Sequence, residues 1–258
     1  MFTYLTDYCK ILWILKLVLG VFFLESKYKR ILLKISGESL SGNKKSGIDF
    51  DEVLKIGESI KKCTELGIQI GVVVGGGNFW RGRSSGKMDR TRADHMGMMA
   101  TVINSLGLAD ALEQLNLDVR VQTAISMQQI AEPYIRNKAV RHLEKGRIVI
   151  FGCGTGSPFF STDTAASLRA AEIGAQIIFK ATNTDGIYDS DPATNKNAKK
   201  YDYITYEKIL SKDLKVMDST ATSMCKDNNI PILVFSIKDP QNIVRAAKGE
   251  IIGTIVKS

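Results

Sequence analysis

The sequence contains few of the residues that build metal sites and disulfide frameworks. Its 258 residues include four cysteines and two histidines. The cysteines (Cys9, Cys63, Cys153 and Cys225) lie dozens of residues apart and form no C-x-x-C pair. Zinc sites and disulfide scaffolds need cysteines or histidines at short, repeated spacings, so the pattern argues against both.

Proline and charge are not abundant enough to indicate an extended or disordered chain. Five prolines, 22 scattered glycines and 24% charged residues lie near globular averages, which excludes collagen-like, disordered and coiled-coil proteins. The 44% of hydrophobic residues can build the core of one large α/β domain or two small ones. The net charge of +8 suits nucleic acid, a membrane surface or an anionic small substrate. No basic run with interleaved aromatics favours nucleic acid.

One long apolar run lies at residues 11–24 and is interrupted by Lys16. A membrane span needs roughly 20 apolar residues, and no small-x-small cleavage site follows the run, as a secretory signal requires. An interfacial anchor, a packing helix and an appended segment remain as interpretations. Because the run stops just before a complete α/β pattern begins, we expect residues 1–26 to be an appended segment outside the fold, in a cytoplasmic protein with no membrane partner.

From Tyr28 onward, short β-branched runs alternate with segments of helical period. Asp49 is expected to cap the first helix, and Thr162 or Asp163 a later one. The alternation predicts an α/β fold, a single domain over residues 27–258 with a mostly parallel central sheet sandwiched by helices. Strands are predicted over 30–35, 68–74, 118–123, 147–151, 176–181, 230–235 and 254–256. Helices are predicted over 49–67, 91–117, 132–145, 162–174 and 240–247, with short ones near Thr205 and Asp218.

Three glycine-containing loops at predicted strand ends have the composition of anion sites: residues 34–38, 75–78 and 154–157. Glycine lets backbone N–H groups approach phosphate oxygens without a Cβ in the way. Any one of these loops would be no more than a turn. Since parallel strands bring such loops to one sheet edge, the three together with Lys34 and Arg81 predict a phosphate site.

Two common phosphate-binding motifs are nearly matched and rejected. Residues 77–84 have the spacing of the P-loop, but Arg83 stands where that motif needs lysine. A dinucleotide fingerprint beginning at Gly75 has Trp80 at its third glycine. The phosphate chemistry must therefore belong to another fold.

The polar run Lys180–Pro192, KATNTDGIYDSDP, resembles the K-x-T-x-x-D-G-[VI]-[YF]-x-x-D-P motif of the amino-acid kinase superfamily. Within that superfamily the chain resembles the bacterial uridylate (UMP) kinases. The matching motifs are ordered between Lys27 and Ser258, so only residues 1–26 fall outside the resemblance. They lie at residues 28–38, 74–78, 81–82, 94–98, 155–160 and 214–218.

This resemblance implies ATP-dependent phosphorylation of UMP to UDP by direct in-line transfer. It also implies a UMP-side lobe over about 27–174 and an ATP-side lobe over about 175–258. The ATP-binding residues implied are Lys34, Ile35, Ser36, Gly37, Gly77, Arg81, Thr182, Asn183, Tyr188 and Asp191. The UMP-binding residues implied are Gly76, Asp94, Thr155, Gly156, Ser157, Pro158, Phe159, Phe160, Ser161 and Thr162.

Lys34, Arg81 and Asp163 are the expected catalytic residues. The two cations would neutralise charge on the transferred group, and no general base is needed because the attacking phosphate of UMP is ionised near neutral pH. Asp163 would organise the lysine and metal, or serve as a plain helix N-cap. The resemblance assigns Asp94 to the ribose hydroxyls. Mg²⁺ would come with ATP, held by phosphates and water, so no side-chain metal site is expected.

The resemblance further implies activation by GTP, inhibition by UTP and a homo-oligomer, most simply a hexamer with the 91–117 helix at an interface. The GTP loop implied comprises Gly42, Asn43, Lys44, Lys45, Ser46 and Gly47. Ser157 replaces the asparagine usual in these enzymes, which leaves room for a water and would soften the choice of base.

Two other functions stay open at this point. One is a kinase of the same superfamily with glutamate, aspartate or acetylglutamate as acceptor. The other is a non-catalytic nucleotide sensor that keeps the fold.

Overall fold

The structure, a computed structural model, describes residues 26–81, 86–192, 194–214 and 216–258. The predicted appended segment, apart from Ser26, lies outside the described residues. A 3₁₀ turn, Gly37–Leu40, follows the first strand. The strands are β1 (Arg30–Ile35), β2 (Gln69–Val74), β3 (Val119–Thr123), β4 (Glu132–Pro133), β5 (Ile148–Gly152), β6 (Ile178–Thr182), β7 (Ile187–Tyr188), β8 (Lys200–Tyr201), β9 (Tyr203–Ile204), β10 (Ile232–Ser236) and β11 (Thr254–Val256). The helices are α1 (Phe50–Glu65), α2 (Arg90–Gln114), α3 (Arg136–Glu144), α4 (Thr162–Ile173), α5 (Tyr206–Ser211), α6 (Ser219–Asp227) and α7 (Gln241–Ala247).

Nine of the described strands form one sheet in the order β4-β3-β5-β2-β1-β6-β10-β11-β9. Its neighbouring strands are parallel except for the antiparallel pair β10 and β11. The predicted α/β fold with a mostly parallel sheet is therefore confirmed. From β1 the chain builds the sheet outward through β2 on one side and later through β6 on the other. The carboxyl ends of β1 and β6 therefore form the switch point, which is where such sheets bind ligands.

Alternating side chains of β1 supply the cores on the two faces of the sheet. Ile31 and Leu33 pack with α1 and α7, whereas Leu32 packs with α4 and α6. Lys34 follows Leu32 by two residues and so lies on the α4 side. The same alternation places Lys180 of β6 on that side, two residues after the buried Ile178.

Several predicted boundaries are corrected. Ser161 caps α4, because its Oγ accepts hydrogen bonds from the backbone N–H groups of Asp163 (3.0 Å) and Thr164 (3.2 Å). The prediction that Thr162 or Asp163 caps this helix is wrong; both lie in its first turn. Asp49 occupies the N-cap position of α1 but makes no capping hydrogen bond.

The predicted helix over 132–145 begins later, at Arg136, because residues 132–133 pair with β3 as an edge strand. The other helices, and the strands β1, β2, β3, β5, β6, β10 and β11, lie within a few residues of their predicted bounds. The two-residue strands β7, β8 and β9 were not predicted, because segments this short show no strand pattern in the sequence. None of the described helices is both long and apolar enough to cross a bilayer.

Candidate active site

Two buried lysines stand side by side at the switch point. Lys34 on β1 and Lys180 on β6 are direct partners in the parallel register and are only 8% and 7% exposed. Like charges in neighbouring strand positions repel, and burial of each ammonium adds a desolvation cost. This arrangement therefore needs an anion between the two side chains.

Asp163 supplies that anion from the first turn of α4. Lys34 Nζ lies 2.9 Å from Asp163 Oδ1, and Lys180 Nζ lies 2.6 Å from Oδ2. Burial alone would raise the pKa of the Asp163 carboxyl, but the two lysine charges outweigh it and hold that pKa below its ordinary range. Burial lowers the pKa of Lys180, and Asp163 opposes this shift. We call these three residues the Lys-Asp-Lys bridge.

A second carboxylate, Asp218, holds the helices around the bridge. It accepts hydrogen bonds from Ser161 Oγ and from Thr164 Oγ1 on α4. It also caps α6 by accepting from the backbone N–H of Ala221 at 2.8 Å. The start of α4, and with it Asp163, is thereby tied to α6. The charge of Asp218 also opposes the lowering of the pKa of Lys180, which burial causes in the first place.

The bridge lies between two cavities. The first has a volume of about 600 Å³ and is lined by residues between 34 and 162, among them Lys34. The second has a volume of about 550 Å³ and is lined by residues between 180 and 234, among them Lys180. Each cavity is thus lined by one of the two lysines of the bridge.

The loops after β1 and β2 approach each other backbone to backbone. A Cβ on Gly37 would lie 2.4 Å from the Gly75 carbonyl oxygen, so no other residue fits there without a shift of the chain. A Cβ on Gly76 would lie 2.9 Å from the Gly97 carbonyl oxygen on α2. These glycines keep the wall of the first cavity made of bare backbone, as anion binding requires.

Asp94 fixes the opposite wall of the first cavity. Its Oδ2 accepts from Arg90 Nε and from the backbone N–H of Phe159, each at 2.8 Å. Phe159 adopts a left-handed backbone with φ of 71°, unusual for a non-glycine residue. The Arg90 guanidinium lies 5.6 Å from the centre of the Phe159 ring. Asp94 thus holds the loop after β5 against the start of α2.

Comparison with known proteins identifies the family. The model of the amino acid kinase family matches residues 29–236. This chain belongs to the amino-acid kinase family. It is a kinase by that membership, since the family is one of phosphotransferases. A predicted family resemblance is thereby confirmed.

Solved structures of the family are similar over most of the chain. The UMP kinase of Bacillus anthracis is 38% identical, with a TM-score of 0.86, covering 89% of this chain and 96% of its own. The UMP kinase of Ureaplasma parvum is 42% identical, with a TM-score of 0.85, covering 90% and 100%. The uridylate kinase of Archaeoglobus fulgidus is 28% identical, with a TM-score of 0.68, covering 88% and 99%.

The structure divides the predicted site residues of this kinase between the cavities. Thr182, Tyr188 and Asp191, predicted for ATP, line the second cavity. The predicted residues that line the first cavity are Lys34, Ser36, Gly37, Gly76, Gly77, Arg81, Asp94, Thr155, Ser157, Phe160, Ser161 and Thr162. Those that line neither cavity are Ile35, Asn183, Gly156, Pro158, Phe159 and Asp163.

The structure also shows what surrounds three of the predicted residues and the predicted GTP loop. The Ile35 side chain lies in the core, so only its backbone faces the loops. Arg81 forms an ion pair with Glu38. Asp163 lines neither cavity, but it forms ion pairs with Lys34, which lines the first cavity, and with Lys180, which lines the second. The predicted GTP loop, residues 42–47, is a largely exposed turn outside both cavities, where Lys44 donates to the Ile48 carbonyl at 3.2 Å.

Sequence reasoning missed Lys180, Asp218 and Arg90 as site residues. Lys180 opens the polar motif of the family and lies two residues before Thr182 at the end of a buried strand. A lysine within such an apolar run is the signal that could have found it. Asp218 carries no such signal, because an aspartate before a helix is ordinarily a cap. Arg90 carries none either, because it is one of several charged residues at the start of a helix.

Proposed function

We propose that this kinase transfers the γ-phosphoryl group of ATP to UMP, producing ADP and UDP. The observation that carries the proposal is the Lys-Asp-Lys bridge between two cavities at the switch point of the sheet. UMP as the acceptor is supported by the similarity to two UMP kinases at 38% and 42% identity over nearly their whole length.

In this proposal UMP occupies the first cavity. Asp94 accepts hydrogen bonds from the ribose hydroxyls, and the backbone around Gly76 faces the phosphate. The loop from Thr155 to Thr162 faces the uracil, and Phe160 is part of the lining of the cavity. A site that pairs with the uracil carbonyls and ring N–H leaves polar groups unpaired when cytosine replaces it.

ATP occupies the second cavity in this proposal, with its nucleoside near Thr182 and Tyr188 and with Asp191 beside it. Asn183 follows Thr182 in the chain and does not line the cavity itself. Its triphosphate extends past the bridge toward Ser36, Gly37, Gly77 and Arg81 in the first cavity. This explains why residues assigned to one ligand are divided between two cavities.

The transfer needs positioning and charge more than covalent chemistry. An ionised phosphate oxygen of UMP attacks the γ-phosphorus of ATP in line, a new P–O bond forms, and the bond to the β-phosphate oxygen breaks to release ADP. Lys34 and Lys180 neutralise the moving group. Asp163 holds both ammonium groups in place, and its charge favours the protonated form of Lys180 against burial.

Mg²⁺ fits this site as a partner of the nucleotide. The described residues contain no cluster of three or more Asp, Glu, His or Cys side chains that could cage a metal. The Asp163 Oδ1 atom, buried and without an aligned hydrogen bond, is already in an ion pair with Lys34. In this proposal the phosphates of ATP and water would hold the ion, since Mg²⁺ is commonly bound through substrate phosphates. When bound, it supplies further neutralisation of phosphate charge.

A coupled assay of ADP release over UMP, CMP, dUMP, glutamate and carbamate tests this proposal. Activity with UMP supports it, and activity with glutamate alone would assign the chain to another branch of the family. ADP release with none of the acceptors would point to a nucleotide sensor.

We propose that the chain assembles through the outer face of α2 into a homo-oligomer, most simply a hexamer. Met96, Met99, Ile103 and Leu106 are exposed there at helical spacing, and clustered exposed apolar residues are typical of interfaces. Ile103→Glu should therefore reduce the mass measured by light scattering. Leu210→Glu, on an exposed apolar residue of α5, is the control and should leave the mass unchanged. A monomeric wild-type protein at micromolar concentration contradicts the proposal.

We propose that GTP activates and UTP inhibits, with GTP at residues 42–47. Lys44 and Lys45 are exposed and would contact a triphosphate. The double substitution Lys44→Ala with Lys45→Ala should reduce the ratio of activity with GTP to activity without it, because a phosphate site loses its cations. The same double change on the exposed Lys138 and Lys238 is the charge-matched control. An unchanged GTP ratio contradicts this location.

We also propose that residues 27–258 suffice for activity, with a UMP-side lobe over about 27–174 and an ATP-side lobe over about 175–258. The location proposed for the protein is the cytoplasm. The described chain is anchored at its start by the backbone hydrogen bond from Lys27 to Ala247 at 3.3 Å. A protein beginning at Lys27 should keep the kcat of the full chain in the ADP-release assay. Loss of folding on this truncation contradicts the proposal.

A further inference from the structure

Two buried asparagines form a closed hydrogen-bonded pair behind the glycine turn at residues 75–77. Asn78 Nδ2 donates to Asn104 Oδ1 at 2.9 Å, and Asn104 Nδ2 donates to Asn78 Oδ1 at 2.7 Å. Asn104 lies in the middle of α2 and is fully buried, while Asn78 is 4% exposed. Burial of two amides is costly unless their polar groups are paired, so this pair has a structural or functional reason.

The remaining N–H of each amide goes to a different loop. Asn104 Nδ2 donates to the Gly75 carbonyl at 2.7 Å, and Asn78 Nδ2 donates to the Gly47 carbonyl at 2.7 Å. The backbone N–H of Gly47 donates in return to the Asn78 carbonyl at 3.1 Å. All four amide N–H groups and both Oδ1 atoms therefore have partners.

This network orients the backbone of the glycine turn. A trans peptide is planar, so the Gly75 carbonyl held by Asn104 fixes the direction of the Gly76 N–H in the same peptide unit. Gly76 lines the first cavity, and the Gly75 carbonyl also lies against Gly37 in the loop that follows Lys34. One buried amide thus sets the geometry of two loops that face the transferred phosphoryl group.

We propose that Asn78 and Asn104 are positioning residues for phosphoryl transfer, which hold the glycine turn at 75–77 and link it to the turn at 42–47. This inference rests on the proposed kinase site. Neither side chain lines a cavity, so both act through the backbone that they hold. Because small displacements of a reacting group are costly, loss of the pair should lower kcat roughly 10–100-fold.

Asn104→Leu removes the hydrogen bonds of the amide at nearly constant volume. Ser105→Ala is the matched control, since Ser105 is the next residue on α2, is fully buried, and donates locally to the Thr101 carbonyl. Hydrogen–deuterium exchange of the full chain would follow residues 75–78 and 42–47, and the ADP-release assay with UMP would give kcat and KM. We expect Asn104→Leu to accelerate exchange at 75–78 and to lower kcat, whereas Ser105→Ala changes neither.

Asn78→Ala is the second variant and keeps the test valid if Asn104→Leu fails to fold. It should accelerate exchange at both 75–78 and 42–47, because Asn78 also holds Gly47. The proposal would be overturned if every variant that folds exchanged residues 75–78 at the wild-type rate. It would also be overturned if exchange became faster while kcat stayed unchanged. If the wild-type protein phosphorylates no acceptor, the proposed function fails, whereas the exchange comparison still decides whether the amides hold the turn.

Discussion

Asp163→Asn is expected to lower kcat by about 10²–10³-fold, the usual cost of losing one preorganised electrostatic group. The substitution keeps the shape of the side chain but leaves Lys34 and Lys180 as two adjacent buried cations without their anion. Removing one partner of a buried ion pair also costs up to about 3–5 kcal/mol in the free energy of unfolding. Asp227→Asn, on an exposed aspartate of α6, is the control and should change neither. Near wild-type turnover with normal thermal stability would contradict the assigned role.

The activity lost in Asp163→Asn should depend on pH. Burial lowers the pKa of Lys180 and the Asp163 charge raises it, so removal of that charge lowers it further. A larger fraction of Lys180 is then neutral as pH rises, and the kcat ratio of wild type to variant should be greater at about pH 9 than at about pH 7. A ratio independent of pH would indicate that Lys180 stays charged without Asp163.

The contribution of Asp163 to the free energy of unfolding is lost at low pH, whereas the effect on Lys180 appears at high pH. Its pKa is lower in the folded chain than in the unfolded one, so the unfolded state binds more protons on acidification. The contribution is complete above about pH 4, the ordinary range of aspartate, and decreases as the pH falls toward the folded pKa. Acid titration of the free energy of unfolding should therefore be steeper for wild type than for Asp163→Asn.

Lys180→Met should lower kcat about 10²–10³-fold while leaving the free energy of unfolding within about 1.5 kcal/mol of wild type. Methionine fills nearly the same space, removes the repulsion between adjacent lysines, and leaves Asp163 paired with Lys34. Steady-state kinetics and chemical denaturation measure the two effects separately. Lys226→Met, on a lysine in the surface ion pair with Glu207, is the control and should change neither. Normal turnover by Lys180→Met would remove Lys180 from the proposed site.

Seven of the eleven described strands were predictable from the sequence, whereas the pairing of Lys34 with Lys180 was not. Each lysine could be placed at the end of an apolar strand by local pattern alone. Their contact depends on β6 adding beside β1, on the side away from β2, and the chain order of strands does not determine this. The role of Asp163 depends on the same step, since it is 129 residues from Lys34 in the sequence.

The wrong boundaries arose where consecutive residues all satisfy a local rule. Ser161, Thr162 and Asp163 are each good N-cap residues. In the structure Ser161 caps the helix, and the Asp163 side chain contacts the lysines instead. Pro133 suits the first turn of a helix, and equally an edge strand, where its missing N–H is tolerated. Pairing with β3 decided for the strand.

Single-turnover transfer from ATP labelled in its γ-phosphate distinguishes direct transfer to UMP from a phosphorylated enzyme and from hydrolysis of ATP. Enzyme in excess is mixed with labelled ATP and UMP, quenched at successive times, and the label is followed in UDP, inorganic phosphate and protein. Direct transfer beside the Lys-Asp-Lys bridge predicts that label appears in the β-phosphate of UDP at the rate at which ADP forms, and that Lys180→Met slows this step. Label in the protein before UDP, or label in inorganic phosphate with none in UDP, would contradict the account.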